Sequence, residues 1–348
     1  MTLRVGFLGA GLIANYHAWS LSQGGEGSVI TAVHDPDEAR AVGFAQRFGA
    51  AVLAGADEVI AASDAVYVCT WTSLHRPLVE QAVAAGRAVF CEKPLGVTAA
   101  EAEAMTALAE SAGVVNQVGL VLRSVPGFAL LRSLLSDPQA GRLSTVIFRD
   151  DQELPVGNVY GSTWRADRHK AGAGTLLEHS IHDLDLLEWL CGPLDRVSAY
   201  QDHLHRLEGI EDTVSVSFRF CGGGTGVLSS TWHDIPDRPS SRRFELFTER
   251  ARFEAEGNAA ERVSWGYRGD EQHHAEGYGA QQDALTARGV APSRNADVAF
   301  VEAVRAQRPA SPDFRAALRA HHLVDAVYRS ARSGGAAVDV SSGTGLTG

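Results

Sequence analysis

Arg4-Val-Gly-Phe-Leu-Gly-Ala-Gly-Leu-Ile-Ala14, near the N-terminus, has the clearest fold signal in the sequence. Its apolar start, residues 4–8, predicts a short buried strand, and the residues that follow, 12–22, predict a helix. The two are joined by glycines, which are typical of a tight turn. The stretch therefore predicts a strand–turn–helix unit of the kind that begins a doubly wound parallel sheet.

The turn itself, Gly9-Ala-Gly-Leu-Ile-Ala14, has the spacing GxGxxA. Gly9 permits the sharp turn, Gly11 lets the backbone approach a pyrophosphate, and Ala14 lets the helix pack closely on the sheet. The N–H groups of Leu12 and Ile13 would then face the anion at the start of the helix. Because the motif leaves a strand and opens a helix, it predicts a dinucleotide site.

The alternation of strand and helix continues to about residue 120. Further strands are predicted at 29–34, 65–69 and 88–91, and further helices at 37–48, 77–85 and 98–112. Short apolar strands that alternate with helices indicate a parallel sheet, and right-handed crossovers place the carboxyl ends of its strands on one edge. We therefore expect residues 1–120 to form a Rossmann domain with its ligand at that edge.

Residues 121–348 show a different pattern, which predicts a second, α+β domain. Longer strands are predicted at 145–149, 197–201, 213–220, 226–232 and 243–248, and closing helices at 296–306 and 314–331. This pattern favours a mostly antiparallel sheet with helices on one face, and it assigns no structure to the polar stretch 255–293. We expect the uncovered face to bind a second copy of the chain, as a homodimer or homotetramer.

Asp35 ends the second predicted strand. A carboxylate at this point of a Rossmann domain accepts hydrogen bonds from the adenosine ribose of the dinucleotide. It also repels the 2′-phosphate of NADP, and no arginine follows it directly. The sequence therefore favours NAD over NADP as the cofactor.

Only two of the 31 Lys and Arg residues are lysine, Lys93 and Lys170. In a chain that otherwise uses arginine, lysine is expected where a compact ammonium or a transferable proton is needed. Lys93 follows Glu92 in Cys91-Glu-Lys-Pro94, directly after the fourth strand and on the ligand edge. Pro94 restricts the backbone of Lys93 toward an extended conformation. These features predict that Glu92 and Lys93 lie beside the cofactor.

A second group of polar residues lies within Thr175–Trp189, which predicts one helix ended by Gly192-Pro193. Its core stripe would be Leu177, Ile181, Leu184 and Leu187, and a separate polar face would be Glu178, His182, Asp185 and Trp189. Glu178 could then orient His182, which would accept a proton near neutral pH. A metal is a rival interpretation, but the stretch has no HExxH or cysteine pattern, and we predict no metal.

Three motifs together resemble one known family. They are GAGLIA at 9–14, CEKP at 91–94 and WRADRHKAGAGTLLEHSIHDLD at 164–185, and the resemblance spans nearly the whole chain. The chain resembles the Gfo/Idh/MocA oxidoreductases, which include glucose–fructose oxidoreductase and inositol dehydrogenase. The resemblance implies an NAD-dependent enzyme with Lys93 and His182 as catalytic positions and Glu178 where many members have Asp.

The resemblance also implies that the loop after the third predicted strand lies near the cofactor. This loop contains Thr70, Trp71, Ser73 and His75. Trp71 stands where proline is common in the family, and Glu178 is longer than the usual aspartate. Both departures bear on the choice of substrate.

The implied reaction is reversible hydride transfer between a nicotinamide and the carbinol carbon of a sugar, inositol or related polyol. His182 would take the hydroxyl proton, and Lys93 would donate a hydrogen bond to the same oxygen. Polar and flat side chains suit a polyhydroxylated ring, and the expected substrate contacts are Arg123, Tyr160, Trp164, Arg165, Lys170 and His179.

Two other functions stay open on the sequence alone. One is redox-neutral, NAD-dependent cleavage of a glycoside, in which the cofactor is oxidised and restored within one cycle. The other is a regulatory protein that binds NAD without turnover, although this chain keeps both Lys93 and His182. Net formation of NADH would distinguish a dehydrogenase from both.

Composition opposes several further classes of protein. The chain has 348 residues, 45% of them hydrophobic, and a net charge of −11, which opposes binding to nucleic-acid backbones. No apolar run approaches the ~18 residues of a membrane span, and the N-terminus lacks the features of a signal peptide. The four cysteines are scattered, as expected for a reduced, cytoplasmic protein: Cys69, Cys91, Cys191 and Cys221.

Overall fold

The computed structural model describes residues 2–24, 27–156, 161–235 and 237–340. The strands are β1 (Leu3–Leu8), β2 (Ser28–His34), β3 (Ala51–Val52), β4 (Ala65–Val68), β5 (Ala88–Cys91), β6 (Asn116–Val118), β7 (Leu143–Glu153), β8 (Leu194–Asp202), β9 (Thr213–Phe220), β10 (Thr225–His233), β11 (Ser241–Thr248), β12 (Ala251–Glu256), β13 (Arg262–Tyr267), β14 (His273–Glu276) and β15 (Val338–Asp339). The helices are α1 (Leu12–Gln23), α2 (Glu38–Phe48), α3 (Ala56–Ala62), α4 (His75–Ala84), α5 (Ala99–Ala112), α6 (Pro126–Leu135), α7 (Arg168–Ala171), α8 (Thr175–Glu178), α9 (Ile181–Cys191), α10 (Gly277–Ala287), α11 (Ala296–Arg305) and α12 (Phe314–Arg332).

Contacts divide the described chain into two units. The first contains the residues up to Leu120 together with His169–Gly172 and Arg294–Leu318, and the second contains the rest. The sequence places a boundary at the same residue, 120, but it assigns both later segments to the second domain. The structural units therefore differ from the expected domains in these two segments.

The first unit holds a six-stranded parallel sheet in the order β3-β2-β1-β4-β5-β6, which confirms the Rossmann fold. Its central strands are apolar on both sides because helices cover both faces. Along β4, for example, Tyr67 belongs to one buried cluster and its neighbours Val66 and Val68 belong to another. The sheet therefore has a separate apolar core on each face.

Strand register brings the carboxyl ends of this sheet into line. Leu8 pairs with both His34 and Val68, and Cys91 pairs with both Val68 and Val118. The residues that directly follow these strands are therefore neighbours along one edge of the sheet, in the order Asp35, Gly9, Cys69, Glu92 and Gly119. This is the edge where ligands bind in open parallel sheets.

The second unit is built on a nine-stranded sheet in the order β14-β13-β12-β11-β7-β10-β9-β8-β15. Only the pair β7 and β10 is parallel among the described strand pairs of this sheet, which confirms the mostly antiparallel expectation. Apolar residues of α6, α9 and α12 form one buried cluster with one face of the sheet. Burial alternates along β9 and β10, so the other face is exposed.

The stretch 255–293, to which the sequence assigned no structure, contains β13, β14 and α10. The two strands are short, and the helix has no side-chain cap at its start. Neither feature produces a strong local pattern, which explains why sequence periodicity missed them. Among the described residues, no helix combines the length and the apolar character needed to cross a membrane.

Candidate active site

The turn after β1 is shaped by one close contact and one open space. Gly9 has a φ of +96°, and a Cβ there would lie 2.3 Å from the carbonyl oxygen of Cys69, so this position requires glycine. A Cβ on Gly11 would meet no heavy atom within 4 Å. Helix α1 begins at Leu12, and its N-cap residue, Gly11, offers no side-chain cap, which leaves the first N–H groups of the helix able to bind an anion. The turn therefore fits a dinucleotide pyrophosphate.

The first two residues of α1, Leu12 and Ile13, are 67% and 40% exposed. Apolar side chains of this size are normally buried, so their exposure is consistent with a surface that a ligand covers. Their backbone N–H groups are the ones that the sequence predicted to face the pyrophosphate. The structure places both residues at the open start of α1.

Asp35 lies beside the turn, as the register of β1 and β2 requires. Its Oδ2 accepts the N–H of Ala10 at 2.8 Å, and its Oδ1 accepts the N–H of Asp37 at 2.8 Å. Each carboxylate oxygen keeps a further lone pair with which it can accept a ribose hydroxyl. Asp35 therefore holds the glycine turn in place and also fits the expected ribose contact.

The loop after β4 carries the other predicted cofactor residues. Trp71 is 37% exposed, and the Nζ of Lys170 lies 4.1 Å from the centre of its ring, a cation–π contact within the first unit. His75 is buried, and its ring nitrogens lie 2.9 Å from the Pro94 carbonyl oxygen and 3.3 Å from that of Thr70. His75 therefore ties the loop after β4 to the loop after β5.

Ser73 lies in a 3₁₀ turn, Thr72–Leu74, between β4 and α4. Glu92 and Lys93 begin the loop after β5. Glu92 is buried, its Oε1 lies 2.8 Å from the Nε2 of His17, and its Oε2 accepts the N–H of Lys93 at 3.1 Å. The structure therefore brings Lys93 to the same sheet edge as the glycine turn and Asp35.

The continuous helix predicted for Thr175–Trp189 is wrong. Helix α8 ends at Glu178, His179 adopts φ −123° and ψ −64°, and α9 begins at Ile181. The N–H of Ser180 bonds the carbonyl of Thr175 at 2.8 Å, and its Oγ donates to Asp150 at 2.9 Å, so the regular helical ladder is interrupted. Glu178 and His182 therefore lie on two helices rather than on one face of one helix.

The predicted core stripe is nevertheless confirmed, because Leu177, Ile181, Leu184 and Leu187 are all buried. Buried Glu211 explains where α8 begins. Its carboxylate accepts the N–H groups of Gly174 at 2.8 Å and Leu176 at 3.0 Å. A Cβ on Gly174 would lie 1.8 Å from the backbone oxygen of Glu211, so the close approach requires glycine.

Carboxylates along α8 and α9 are paired with arginines of the second unit. Arg165 Nε lies 3.2 Å from Glu178, and Arg123 Nε lies 2.8 Å from Asp185. The Arg165 guanidinium also lies 4.6 Å from the centre of the Trp164 ring. Three predicted substrate residues, Arg123, Trp164 and Arg165, are thus fixed by these contacts. Tyr160, another of them, lies outside the described residues.

Within the described residues, one group of side chains could hold a metal ion. Potential ligand atoms of Asp150, His179 and Asp183 lie within 4.8 Å of one another. Arg242 enters the same group, with its Nε 2.7 Å from Asp183 and an Nη 3.1 Å from His179. Burial raises the pKa of Asp183 to about 7, although Arg242 lowers it. A guanidinium among these atoms opposes a cation, so we interpret the group as a buried charge network.

Sequence reasoning missed several buried polar residues of both units. They are His17 and Asp297 in the first unit and Asp150, Glu211 and Arg242 in the second. Their partners lie far away in the chain, as for His17 and Asp297, which are 280 residues apart. Local periodicity carries no signal for such pairs.

Comparisons with known proteins agree with this geometry. Residues 3–120 match the family model described as "Oxidoreductase family, NAD-binding Rossmann fold", and residues 128–254 match "GFO/IDH/MocA C-terminal domain". Together these matches cover more than half of the chain. They coincide with the parallel sheet and with the first strands of the antiparallel sheet.

Named relatives are dehydrogenases. The chain is 35% identical over 193 residues to inositol 2-dehydrogenase of Cereibacter sphaeroides, an alignment covering 55% of this chain and 54% of that protein. It therefore spans about half the length of that relative. It is also 35% identical over 236 residues to trans-1,2-dihydrobenzene-1,2-diol dehydrogenase of Mus musculus, which covers 66% of this chain and 68% of that protein.

Solved structures share the fold. A levoglucosan dehydrogenase in complex with NADH and levoglucosan matches with a TM-score of 0.87 at 21% identity, over 98% of this chain and all of that one (100%). The WlbA dehydrogenase of Bordetella pertussis, in complex with NADH and UDP-GlcNAcA, matches with a TM-score of 0.83 at 23% identity, over 98% of both chains. The chain therefore belongs to the GFO/IDH/MocA family of oxidoreductases, whose first domain is an NAD-binding Rossmann fold.

Proposed function

We propose that the protein is an NAD-dependent dehydrogenase that oxidises a secondary hydroxyl of a sugar, inositol or related polyol to a ketone, and reduces the ketone in reverse. The observation that carries the proposal is the position of Lys93. It follows β5 on the edge where Gly9 and Asp35 also lie, so its backbone is at the same edge as the expected dinucleotide. The names of the relatives, an inositol and a dihydrodiol dehydrogenase, support this substrate class.

In the proposed reaction, NAD when bound supplies a nicotinamide that accepts the hydride from the carbinol carbon. Lys93 donates a hydrogen bond to the reacting oxygen and stabilises the negative charge that develops there. His182, in the first turn of α9, removes the hydroxyl proton. Two electrons leave with the hydride, the proton goes to His182, and the C–O bond becomes a carbonyl. General acid–base help of this kind contributes about 10²–10⁴-fold.

The proposed substrate contacts are Arg123, Trp164, Arg165, Lys170 and His179, with Glu178 as the residue that orients His182. Arg123 and Arg165 are already paired with carboxylates, which neutralises their charge but leaves further N–H donors on each guanidinium. Donors of this kind suit hydroxyl oxygens. The paired charges therefore favour an uncharged polyol at this surface.

The proposal is tested by incubating the protein and NAD with a panel of cyclitols, aldoses and anhydrosugars and following the absorbance of NADH. We expect net NADH with at least one uncharged polyol. If glycosides are cleaved while NADH never accumulates, the protein is a redox-neutral glycosidase. If NAD binds and no substrate reacts, it is a binding protein without turnover.

Asp35 is expected to select NAD. Replacing Asp35 with serine removes the negative charge that repels the 2′-phosphate, and it also weakens the contact with the Ala10 N–H. The ratio of kcat/KM for NAD to that for NADP should fall, mainly through a higher KM for NAD. Steady-state kinetics with both cofactors measures this. A native enzyme that prefers NADP would contradict the assignment.

The exposed face of the nine-stranded sheet is proposed to bind a second copy of the chain. Ile147 on β7 and Val227 on β10 are register partners on this face and are exposed by 45% and 46%. Apolar side chains in the middle of an open sheet face favour a symmetric contact. Light scattering at micromolar concentration should report a dimer or tetramer, and Val227→Asp should reduce it to monomer. A native protein that is monomeric there would rule the contact out.

A further inference from the structure

A buried ionic cluster lies next to Lys93 in the first unit. It consists of His17 on α1, Glu92 after β5 and Asp297 in the first turn of α11, and we call it the His17 cluster. The His17 ring is fully buried, and its Nε2 lies 2.8 Å from Glu92 Oε1 while its Nδ1 lies 2.7 Å from Asp297 Oδ1. Three distant segments of the chain therefore meet on one imidazole.

The geometry suits a protonated imidazole. A neutral histidine has one N–H and could donate to only one of two ionised carboxylates, whereas an imidazolium donates to both. Burial alone would lower the pKa of His17, but Asp297 and Glu92 outweigh it and raise that pKa to about 10. Geometry and pKa therefore agree on a protonated His17 at neutral pH.

The other titratable neighbours of the cluster stay neutral. Burial raises the pKa of Tyr67, Cys69 and Cys91 well above their ordinary values, and burial followed by the charge of Asp297 raises that of Tyr16. None of these groups can balance the two carboxylates with a positive charge. His17 is thus the cation that bonds both of them.

Glu92 transmits this arrangement to Lys93. With Oε1 held by His17, its Oε2 accepts the backbone N–H of Lys93 at 3.1 Å. The carboxylate also packs closely against Gly119, where a Cβ would lie 2.3 Å from Oε1, so this position requires glycine. The orientation of the Glu92 side chain is therefore coupled to the backbone of Lys93 through one hydrogen bond.

Asp297 holds the opposite side of the imidazole and is itself fixed by the start of α11. The side chain of Asn295 caps this helix and accepts the N–H of Asp297 at 2.8 Å. Through His17, the cluster thus links α11 to Glu92 in the loop after β5, although the two lie about 200 residues apart in the chain.

We propose that His17 is a positioning residue for Lys93: it holds the Glu92 carboxylate in one orientation, and Glu92 in turn holds the backbone from which the Lys93 ammonium reaches the substrate oxygen. This inference rests on the proposed function, in which Lys93 stabilises charge on that oxygen. Small displacements of a catalytic group are costly, since about 1 Å lowers a rate by about 10²-fold. His17 therefore acts on the reaction without touching the reactants.

The test is His17→Gln in the full-length enzyme. The amide can donate a hydrogen bond to one carboxylate but supplies no charge, so it cannot hold Glu92 and Asp297 together as the imidazolium does. We expect kcat to fall about 10–100-fold at neutral pH with little change in NAD affinity. The KM for the polyol should change much less than kcat, because the interaction lost is stronger in the transition state. A variant of lower stability but intact positioning would keep the native kcat at a temperature where it is folded.

Two comparisons separate positioning from general destabilisation. Val301→Ala in α11 removes buried apolar contacts of the same unit but leaves the three side chains of the cluster in place, and it should keep the native kcat. In the Glu92→Gln background, His17→Gln should lower kcat little further, because both changes remove the same interaction between His17 and the Glu92 carboxylate. If the two losses multiply, or if His17→Gln has native kcat, the inference is wrong.

One measurement needs no variant. Nitrogen NMR of the histidine-labelled native protein should show His17 as an imidazolium up to about pH 9, as its pKa of about 10 requires. A neutral His17 at pH 7 would overturn the inference even if His17→Gln does not fold. If Lys93→Ala also keeps native kcat, the proposed function itself fails. If only Lys93→Ala loses activity, this inference alone fails.

Discussion

Replacing Lys93 with alanine should lower kcat by about 10²–10³-fold, the usual cost of losing one donor to a developing oxyanion. The interaction is stronger in the transition state than with the bound alcohol, so the loss should appear in kcat more than in KM. Lys93→Arg should fail as well, because a planar guanidinium is bulkier and cannot give up its proton. Steady-state kinetics of both variants measures the effect.

NAD binding supplies the control for these variants. The turn of Gly9–Ala14 and Asp35 are expected to hold the dinucleotide, so fluorescence titration should show NAD affinity close to native in both Lys93 variants. Near-native kcat in both would make Lys93 a structural residue of the loop after β5. Parallel loss of NAD binding and turnover would assign Lys93 to the cofactor instead of the substrate oxygen.

Replacing His182 with glutamine should lower kcat by about 10²–10⁴-fold, because the amide cannot accept the hydroxyl proton. His182 is 9% exposed and lies in the first turn of α9, where the buried leucines of that helix fix its backbone. The substitution is close in size, so the fold should be retained. Kinetics with the best substrate of the polyol panel and a thermal unfolding curve measure the two effects separately.

His274 offers a matched control for this substitution. It is exposed on β14 of the same unit, and His274→Gln should leave kcat unchanged. If His182→Gln retains more than about a tenth of native kcat, the proton goes to another acceptor, since a general base is worth at least about 10²-fold. Loss of folded protein in the unfolding curve would require His182→Asn as a second variant with the same expectation.

Local sequence predicted most of the Rossmann sheet and its helices, although it missed β3, α3 and β6. Its strands are short and apolar, its turn contains Gly9 with positive φ, and helices such as α5 begin at a capping threonine and end at a glycine. Asp37 and Gly49 frame α2 in the same way. These signals act between residues that are close in the chain, which is why they can be identified without a structure.

The break between α8 and α9 could not be predicted in this way. Leu177, Ile181, Leu184 and Leu187 keep a helical spacing across it, so the apolar pattern predicts one helix. The interruption arises from buried tertiary partners, namely Asp150 for Ser180 and Glu211 for the start of α8. Tertiary contacts of this kind override local propensity.

The supports of Lys93 were also beyond the sequence. His17 lies in a helix that the sequence identified, but nothing nearby indicates that it bonds Glu92, 75 residues later, and Asp297. Residues 294–318 were expected in the second domain and instead complete the first unit. The CEKP motif identifies Lys93 from the sequence, whereas the contact of its backbone N–H with Glu92 is visible only in the structure.

Transfer of deuterium from the substrate to the nicotinamide tests the proposed hydride transfer directly. The polyol that gives the most NADH is labelled with deuterium at its carbinol carbon, a single turnover is run, and the nicotinamide is analysed by mass spectrometry. The proposed mechanism predicts that the deuterium appears in the reduced nicotinamide, in equal amount to the ketone formed. Consumption of the labelled substrate without deuterium in the reduced nicotinamide would contradict it.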